Sequence, residues 1–155
     1  MLIMNKIKLI IIVLLPFIFL TGCSFIGIKR LSEEEIQKII TKGQHSKLIV
    51  VDVYHTRCDT CQLIEPTVKN IENYYKENND IVFVKYDLSN PFTLLDSMKI
   101  AKALDLEAIY KEQRYSGVVL IIDAKSKKVL DTIVAETNIN KYTSIIKKRL
   151  GNNAT

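Results

Sequence analysis

The chain has 155 residues, of which 48% are hydrophobic and 25% charged, and its formal net charge at pH 7 is +5. This length suits one domain. The lysines are spread along the sequence rather than gathered in one arm, which argues against nucleic-acid binding and fits better with a position near anionic lipid headgroups. Three cysteines are too few for a structural disulfide framework.

The N-terminus has the pattern of a bacterial lipoprotein signal. Lys6 and Lys8 precede a continuous run of 12 residues, Leu9 to Leu20, that is apolar apart from Pro16. A membrane span needs about 20 apolar residues, so the run has the length of a signal-peptide core instead. The sequence Leu20-Thr21-Gly22-Cys23 then resembles a lipobox.

This interpretation divides the chain into three parts. Residues 1–22 are a signal peptide that is removed, residues 23–30 are the lipid-bearing Cys23 and a tether, and residues 31–151 are the folded domain. Acyl chains on Cys23, each contributing about 0.8 kcal/mol per buried CH₂, would hold the protein on the extracytoplasmic face of a bacterial cell membrane. The alternatives are an uncleaved anchor helix, or a Cys23 that is an ordinary buried cysteine.

Helical and strand patterns alternate along the rest of the chain. The first predicted elements are a helix capped by Ser32 and Glu35 and ended by Gly43, a strand over 48–54, a helix from Cys58 containing Pro66, and a strand over 81–87. Asn90 starts a helical region whose far end the pattern does not fix. It is followed by strands over 118–122 and 128–134 and by a last helix from Asn138 or Asn140 that Gly151 ends. This order predicts an α/β fold in which crossover helices join parallel strands and a hairpin adds an antiparallel edge.

Two cysteines follow the first buried strand. Cys58 and Cys61 are two residues apart at the first turn of a helix, where a disulfide between them opens and closes with little backbone movement. So short a loop stabilises little through chain entropy, which favours a chemical use. The alternatives are a static disulfide and half of a metal site. We predict no metal site, because His45 and His55 are isolated and no second cysteine pair completes a tetrahedral set.

The element order, with the cysteine pair after the first strand, resembles the thioredoxin family over residues 31–150. Three further positions carry the resemblance: Asp52 at the family's buried acid, Pro66 at its helix kink, and Lys85 at the lysine that pairs with the acid. The resemblance implies a thioredoxin-like three-layer α/β/α sandwich around a central mixed sheet of about four strands.

Two positions depart from the family pattern. Arg57 stands where an aromatic residue usually precedes the first cysteine, and Gly117 stands where the family has a cis-proline. Because a cis bond before a residue other than proline costs about 2.5–4 kcal/mol, we expect a trans Ser116–Gly117 bond with Gly117 using its free φ angle. Arg57, Ser116 and Gly117 are then the residues expected beside the substrate.

The resemblance also implies roles for the site residues. Cys58 attacks a substrate disulfide, Cys61 resolves the mixed disulfide, and Asp52 and Lys85 relay a proton to Cys61. The oxidised form holds a Cys58–Cys61 disulfide and needs no organic cofactor. The expected function is a thiol–disulfide oxidoreductase that acts on cysteines of exported proteins and exchanges electrons with a membrane or extracytoplasmic redox partner.

A second function is open at this stage. The missing proline also suits a lipoprotein of the same fold without enzymatic activity, serving as an accessory module of an envelope system such as secretion, conjugation or bacteriocin export.

Overall fold

The computed structural model describes residues 30–113 and 115–152. The elements in chain order are α1 (Glu33–His45), β1 (Leu48–Tyr54), α2 (Asp59–Tyr74), β2 (Ile81–Asp87), α3 (Pro91–Ala103), α4 (Glu107–Glu112), β3 (Val118–Asp123), β4 (Val129–Val134) and α5 (Ile139–Asn152). The predicted signal peptide and Cys23 lie outside the described residues.

The four strands form one sheet in the order β2-β1-β3-β4. Strands β1 and β2 are parallel, with Val51 opposite Val84, whereas β3 is antiparallel to both β1 and β4. Strands β1 and β3 lie in the middle of the sheet and are almost entirely buried, in keeping with their runs of apolar and β-branched residues.

Helices cover both faces of this sheet. One core joins α1, α3 and α4 to the face that carries Val51 and Val53, and the other joins α2 and α5 to the face that carries Leu48 and Val50. The predicted three-layer α/β/α sandwich with a four-stranded mixed sheet is therefore confirmed.

Two predicted helix ends were wrong, and the structure fixes the extent of the helical region after Asn90, which the sequence left open. Helix α1 continues past Gly43 to His45, and a Cβ at Gly43 would lie 2.8 Å from both methyl carbons of Leu104, so this glycine permits close packing. The helical region after Asn90 is two helices, separated where Asp105 adopts a φ of 57°. Helix α5 includes Gly151 and continues to Asn152.

The topology brings two chain segments to one edge of the sheet. Because β1 and β2 are parallel, the segments that follow Tyr54 and Asp87 leave the sheet side by side. The Leu88 N–H donates to the Tyr54 carbonyl at 2.8 Å, and the Thr56 N–H donates to the Ser89 hydroxyl at 3.0 Å. Both cysteines of the pair lie at this edge. Across the described ranges, every helix is too short or too polar to span a membrane.

Candidate active site

Cys58 is the N-cap of α2. Its backbone is extended, with φ −103° and ψ 109°, and its Sγ accepts the Cys61 N–H at 3.1 Å. The Cys58 N–H donates to the His55 carbonyl at 3.1 Å, which fixes the turn between β1 and the helix. The sulfur therefore lies against the unpaired N–H groups at the start of a helix, where a thiolate is stabilised.

Both cysteines of the pair are free thiols in this structure. The arrangement is that of the reduced protein, and the disulfide between Cys58 and Cys61 stays a prediction for the oxidised protein.

The pKa of Cys58 is lowered from its usual value. Burial acts to raise this pKa, but hydrogen bonds to the sulfur from the Cys61 and Ser116 side chains and from the Cys61 and Thr60 backbone N–H groups outweigh it. Hydrogen bonds, rather than a neighbouring cation, thus favour the thiolate of Cys58.

Cys61 is placed differently. Only 1% of this residue is exposed, and its thiol contacts the Val53 carbonyl at 3.8 Å. Burial, followed by the hydrogen bond with Cys58, raises the pKa of the Cys61 thiol. The pair therefore consists of an outer sulfur that ionises readily and an inner sulfur that holds its proton.

Asp52 lies within β1, six residues before Cys58. Alternation along the strand points its side chain to the same face as Val50, towards α2. It is 7% exposed, and its Oδ1 has no hydrogen-bond partner among the described residues. Burial raises its pKa to about 6, although the positive charge of Lys85 acts in the opposite direction.

Lys85 is the cross-strand neighbour of Asp52 in the β1–β2 register. Its Nζ forms an ion pair with Glu65 Oε1 at 3.4 Å and lies 3.6 Å from the centroid of the Tyr54 ring. The expectation that Lys85 pairs with the buried acid therefore needs correction, because its ion pair is with Glu65 and its effect on Asp52 is exerted from a greater distance.

Glu65 is the site residue that the sequence reasoning missed. It lies on α2 immediately before Pro66, and its Oε1 also binds Lys69 Nζ at 3.0 Å. The sequence contained a signal for this role. Glu65 follows Cys61 by about one helical turn, which places it on the side of α2 that faces the sheet.

Gly117 closes the site from the β3 side. The described peptide bonds are all trans, including the Ser116–Gly117 bond, and Gly117 has a φ of +78°, as predicted. Its N–H donates to the Val53 carbonyl at 2.8 Å. A Cβ here would lie 2.8 Å from Thr60 Cγ2 and 3.5 Å from Cys58 Sγ, so the backbone approaches the cysteine turn as closely as a glycine permits.

Arg57 and His55 shape the turn before Cys58. The Arg57 N–H donates to His55 Nδ1 at 2.9 Å, and the Arg57 side chain is exposed to solvent. The structure thus gives His55 a role in holding the turn and leaves Arg57 at the rim of the site.

The part of the chain that the structure describes contains no group of three or more His, Cys, Asp or Glu residues arranged to hold a metal ion.

Comparison with known proteins agrees with this geometry. The family model named Thioredoxin matches residues 27–136. A thioredoxin from Coprinus comatus is 30% identical over 79 residues, which are 51% of this chain and 70% of that protein.

Solved structures of thioredoxins are also similar. The Drosophila melanogaster thioredoxin Deadhead is 18% identical with a TM-score of 0.48, over 79% of this chain and 98% of that one. Trxlp from Edwardsiella tarda is 15% identical with a TM-score of 0.46, over 75% of this chain and 94% of that one. The match to the family model shows the family of this chain, and the strand order is consistent with it.

Proposed function

We propose that Cys58 and Cys61 are the reacting groups of this chain, which belongs to the thioredoxin family and is a thiol–disulfide oxidoreductase. We also propose that Cys23 anchors the chain to a membrane. The observation that carries the assignment of the reacting groups is the contrast between the two sulfurs. Cys58 caps α2 with a lowered pKa, whereas Cys61 is buried behind it with a raised one.

The reaction is a pair of thiol–disulfide exchanges. The Cys58 thiolate attacks one sulfur of a substrate disulfide, so that a mixed disulfide forms and the other substrate sulfur leaves as a thiolate. Cys61 then attacks Cys58 Sγ, which releases the second substrate thiolate and forms the Cys58–Cys61 disulfide. Two electrons pass to the substrate, and the protons of Cys58 and Cys61 end on its two thiols. The reverse sequence oxidises a substrate dithiol.

Asp52 supplies the base for the second exchange. Cys61 must lose its proton to attack, and its raised pKa makes that loss unfavourable at neutral pH. Asp52 lies on the face of β1 towards α2 and has a pKa of about 6, so it can accept a proton and return it near neutral pH. Lys85 tunes this acid through its positive charge, and no organic cofactor takes part.

Substrates are proteins that contain cysteines, as is general for the family. Exposed apolar side chains flank the loop that closes the site, with Tyr115 76% exposed and Val134 63% exposed. Val134 pairs with Val118, and the Ala135 N–H donates to the Gly117 carbonyl at 3.3 Å. An extended substrate segment can lie against this apolar surface beside Ser116, with Arg57 at the opposite rim.

The proposed location follows from the N-terminal sequence. Residues 1–22 have the features of a signal peptide, and the lipobox places acyl chains on Cys23. The domain over 31–151 would then work at the extracytoplasmic face of the membrane, on cysteines of exported proteins and with a redox partner in the same compartment.

The reduction potential of the Cys58–Cys61 couple tests this function. Equilibration with glutathione buffers, followed by alkylation and mass measurement, should give a reversible couple between about −120 and −270 mV, the range of exchange catalysts in this fold. A couple below about −300 mV indicates a structural disulfide. That result would favour the accessory-module function, as would full activity in cells of a Cys58→Ser/Cys61→Ser variant.

A further inference from the structure

The described chain begins with a residue that is fixed to α3. Arg30 Nη2 lies 2.5 Å from Asp96 Oδ1, and Arg30 Nε lies 3.0 Å from Asp96 Oδ2. The Asp96 side chain is 3% exposed, and the Arg30 guanidinium also lies 5.7 Å from the centroid of the Phe92 ring. A bidentate pair with a buried carboxylate holds the guanidinium in one geometry. The point at which the predicted tether joins the domain is therefore fixed on α3.

This junction lies at the same end of the domain as the cysteine pair. Phe92 is in the first turn of α3, which Asn90 caps at the carboxyl end of β2. The neighbouring Ser89 accepts the Thr56 N–H at 3.0 Å, and Thr56 is two residues before Cys58. The chain thus enters the domain at the carboxyl ends of β1 and β2, where the redox site lies, and not at their amino ends.

Two apolar side chains are exposed beside the junction. Phe92 is 49% exposed and Leu95 is 54% exposed, three residues apart on one side of α3. The charged groups around them are largely paired, since Arg30 binds Asp96 and Lys99 Nζ binds Glu33 Oε1 at 2.6 Å. We name Arg30, Phe92 and Leu95 the α3 patch.

We propose that the α3 patch lies on the bilayer surface and turns the redox site towards the membrane, so that Cys58 reacts with cysteines held close to the bilayer. This inference rests on the proposed lipid anchor at Cys23. The seven residue-to-residue steps from Cys23 to Arg30 span at most about 25 Å when fully extended. We call the Arg30–Asp96 pair the clasp. Because the clasp fixes the junction and the tether is short, this end of the domain stays near the headgroups.

The size of the patch favours a bilayer over a protein partner. A stable protein interface buries about 800 Å² on each side, more than two side chains supply. Contact with the membrane is intramolecular once the lipid is inserted, so a weak contact is sufficient to set an orientation. Phe92 and Leu95 suit the boundary of headgroups and acyl chains, and the Arg30–Asp96 pair places no uncompensated charge beside them.

The test uses the full lipidated chain, oxidised, in vesicles of phosphatidylethanolamine and phosphatidylglycerol. A single fluorophore is attached through Leu95→Cys in the patch or through Glu77→Cys. Glu77 is an exposed position in the α2–β2 turn, at the amino end of β2 and so at the other end of the domain. Quenching by a nitroxide-labelled lipid reports the distance of each label from the bilayer. We expect several-fold stronger quenching at position 95 than at position 77.

Two sets of variants separate the clasp from the lipid. Arg30→Gln/Asp96→Asn removes both charges of the clasp, and we expect it to lose the difference between the two labels while still floating with vesicles. The matched control is Arg149→Gln/Asp131→Asn, which removes the Arg–Asp pair between α5 and β4 and should keep the difference. Phe92→Ser, at an exposed position, should reduce the difference without affecting folding.

Each outcome decides one proposal. Equal quenching at both positions in a chain that floats would overturn the orientation and leave the anchor intact, as would a persisting difference in both the clasp and Phe92 variants. An intact chain that does not float, or a Cys23→Ala chain that floats equally well, would overturn the anchor and with it this inference.

Discussion

Lys85 Nζ lies 3.4 Å from Glu65 Oε1. Lys85 is the neighbour of Asp52 on the adjacent strand, but its ammonium is bound by the carboxylate of Glu65. Glu65 acts on Asp52 in two ways that have the same sign. Its own negative charge raises the pKa of Asp52, and it holds the lysine whose charge would lower that pKa. The pKa of the buried acid is thus set jointly by β1, β2 and α2.

Replacing Glu65 should lower the pKa of Asp52. In Glu65→Gln one negative charge is lost and Lys85 is free to approach the acid, so the pKa should fall below about 6. Lys85→Met should move it upwards. NMR titration of the Asp52 carboxyl carbon measures both shifts. Lys69→Met is the control, because it removes the other partner of Glu65 and leaves the Glu65–Lys85 pair in place. An unchanged or higher pKa in Glu65→Gln would refute this account.

Asp52 should make folding stability depend on pH. Its pKa is about 6 in the folded protein and near 3.8 when unfolded. The free energy of unfolding therefore falls as the pH rises from about 4 to 6, and the full reduction is present above pH 6. That reduction is about 3 kcal/mol. Asp52→Asn should therefore raise the free energy of unfolding by up to this amount at pH 7 and little at pH 4.

Urea unfolding of the reduced protein at both pH values measures this difference. Glu77→Gln, at an exposed position, is the control and should show no such pattern. A gain in stability that is equal at both pH values would mean that the effect of Asp52→Asn is due to packing.

The two cysteines should differ in reactivity. Cys58 has a lowered pKa and is partly exposed, whereas Cys61 has a raised pKa and is 1% exposed. Iodoacetamide at pH 7 should therefore modify Cys58 first, because the thiolate is the reacting form. Peptide mass mapping over time measures the two rates. Cys61→Ser should retain rapid modification and accumulate mixed disulfides with substrates, and faster labelling of Cys61 would reverse the proposed roles.

A side chain at Gly117 should be costly. Gly117→Ala places a Cβ 2.8 Å from Thr60 Cγ2 at a φ of +78°, so we expect a loss of roughly 1–3 kcal/mol in unfolding free energy. Gly117→Pro should lose more, because it also removes the N–H that donates to Val53. Denaturant titrations measure both variants.

Two comparisons isolate the cause of that loss. Thr60→Ala in the Gly117→Ala background should recover part of it by removing Cγ2. Gly151→Ala is the matched control, because no atom lies within 4 Å of the added methyl group and the position is helical. A Gly117→Ala variant as stable as Gly151→Ala would contradict the close packing described here.

Local patterns in the sequence were sufficient for most of the fold. The strands at 48–54 and 81–87 lie where the apolar runs predicted them, because a buried strand needs a continuous run of apolar residues. The start of α1 was also predictable from the sequence, since the capping box of Ser32 and Glu35 is formed by residues three apart. The cysteine spacing likewise placed the pair at the start of α2.

The tertiary structure decided what depends on distant neighbours. Gly43 has the sequence signal of a helix end, but it packs against Leu104, some 60 residues along the chain, and the helix continues. Lys85 was expected at Asp52, yet Glu65 binds it, because the rotation of α2 over the sheet sets which acid reaches the ammonium. The clasp between Arg30 and Asp96 joins residues 66 apart, and no local pattern records it. Short-range hydrogen bonds and periodic burial are encoded within a few residues, whereas ion-pair partners depend on how the layers pack.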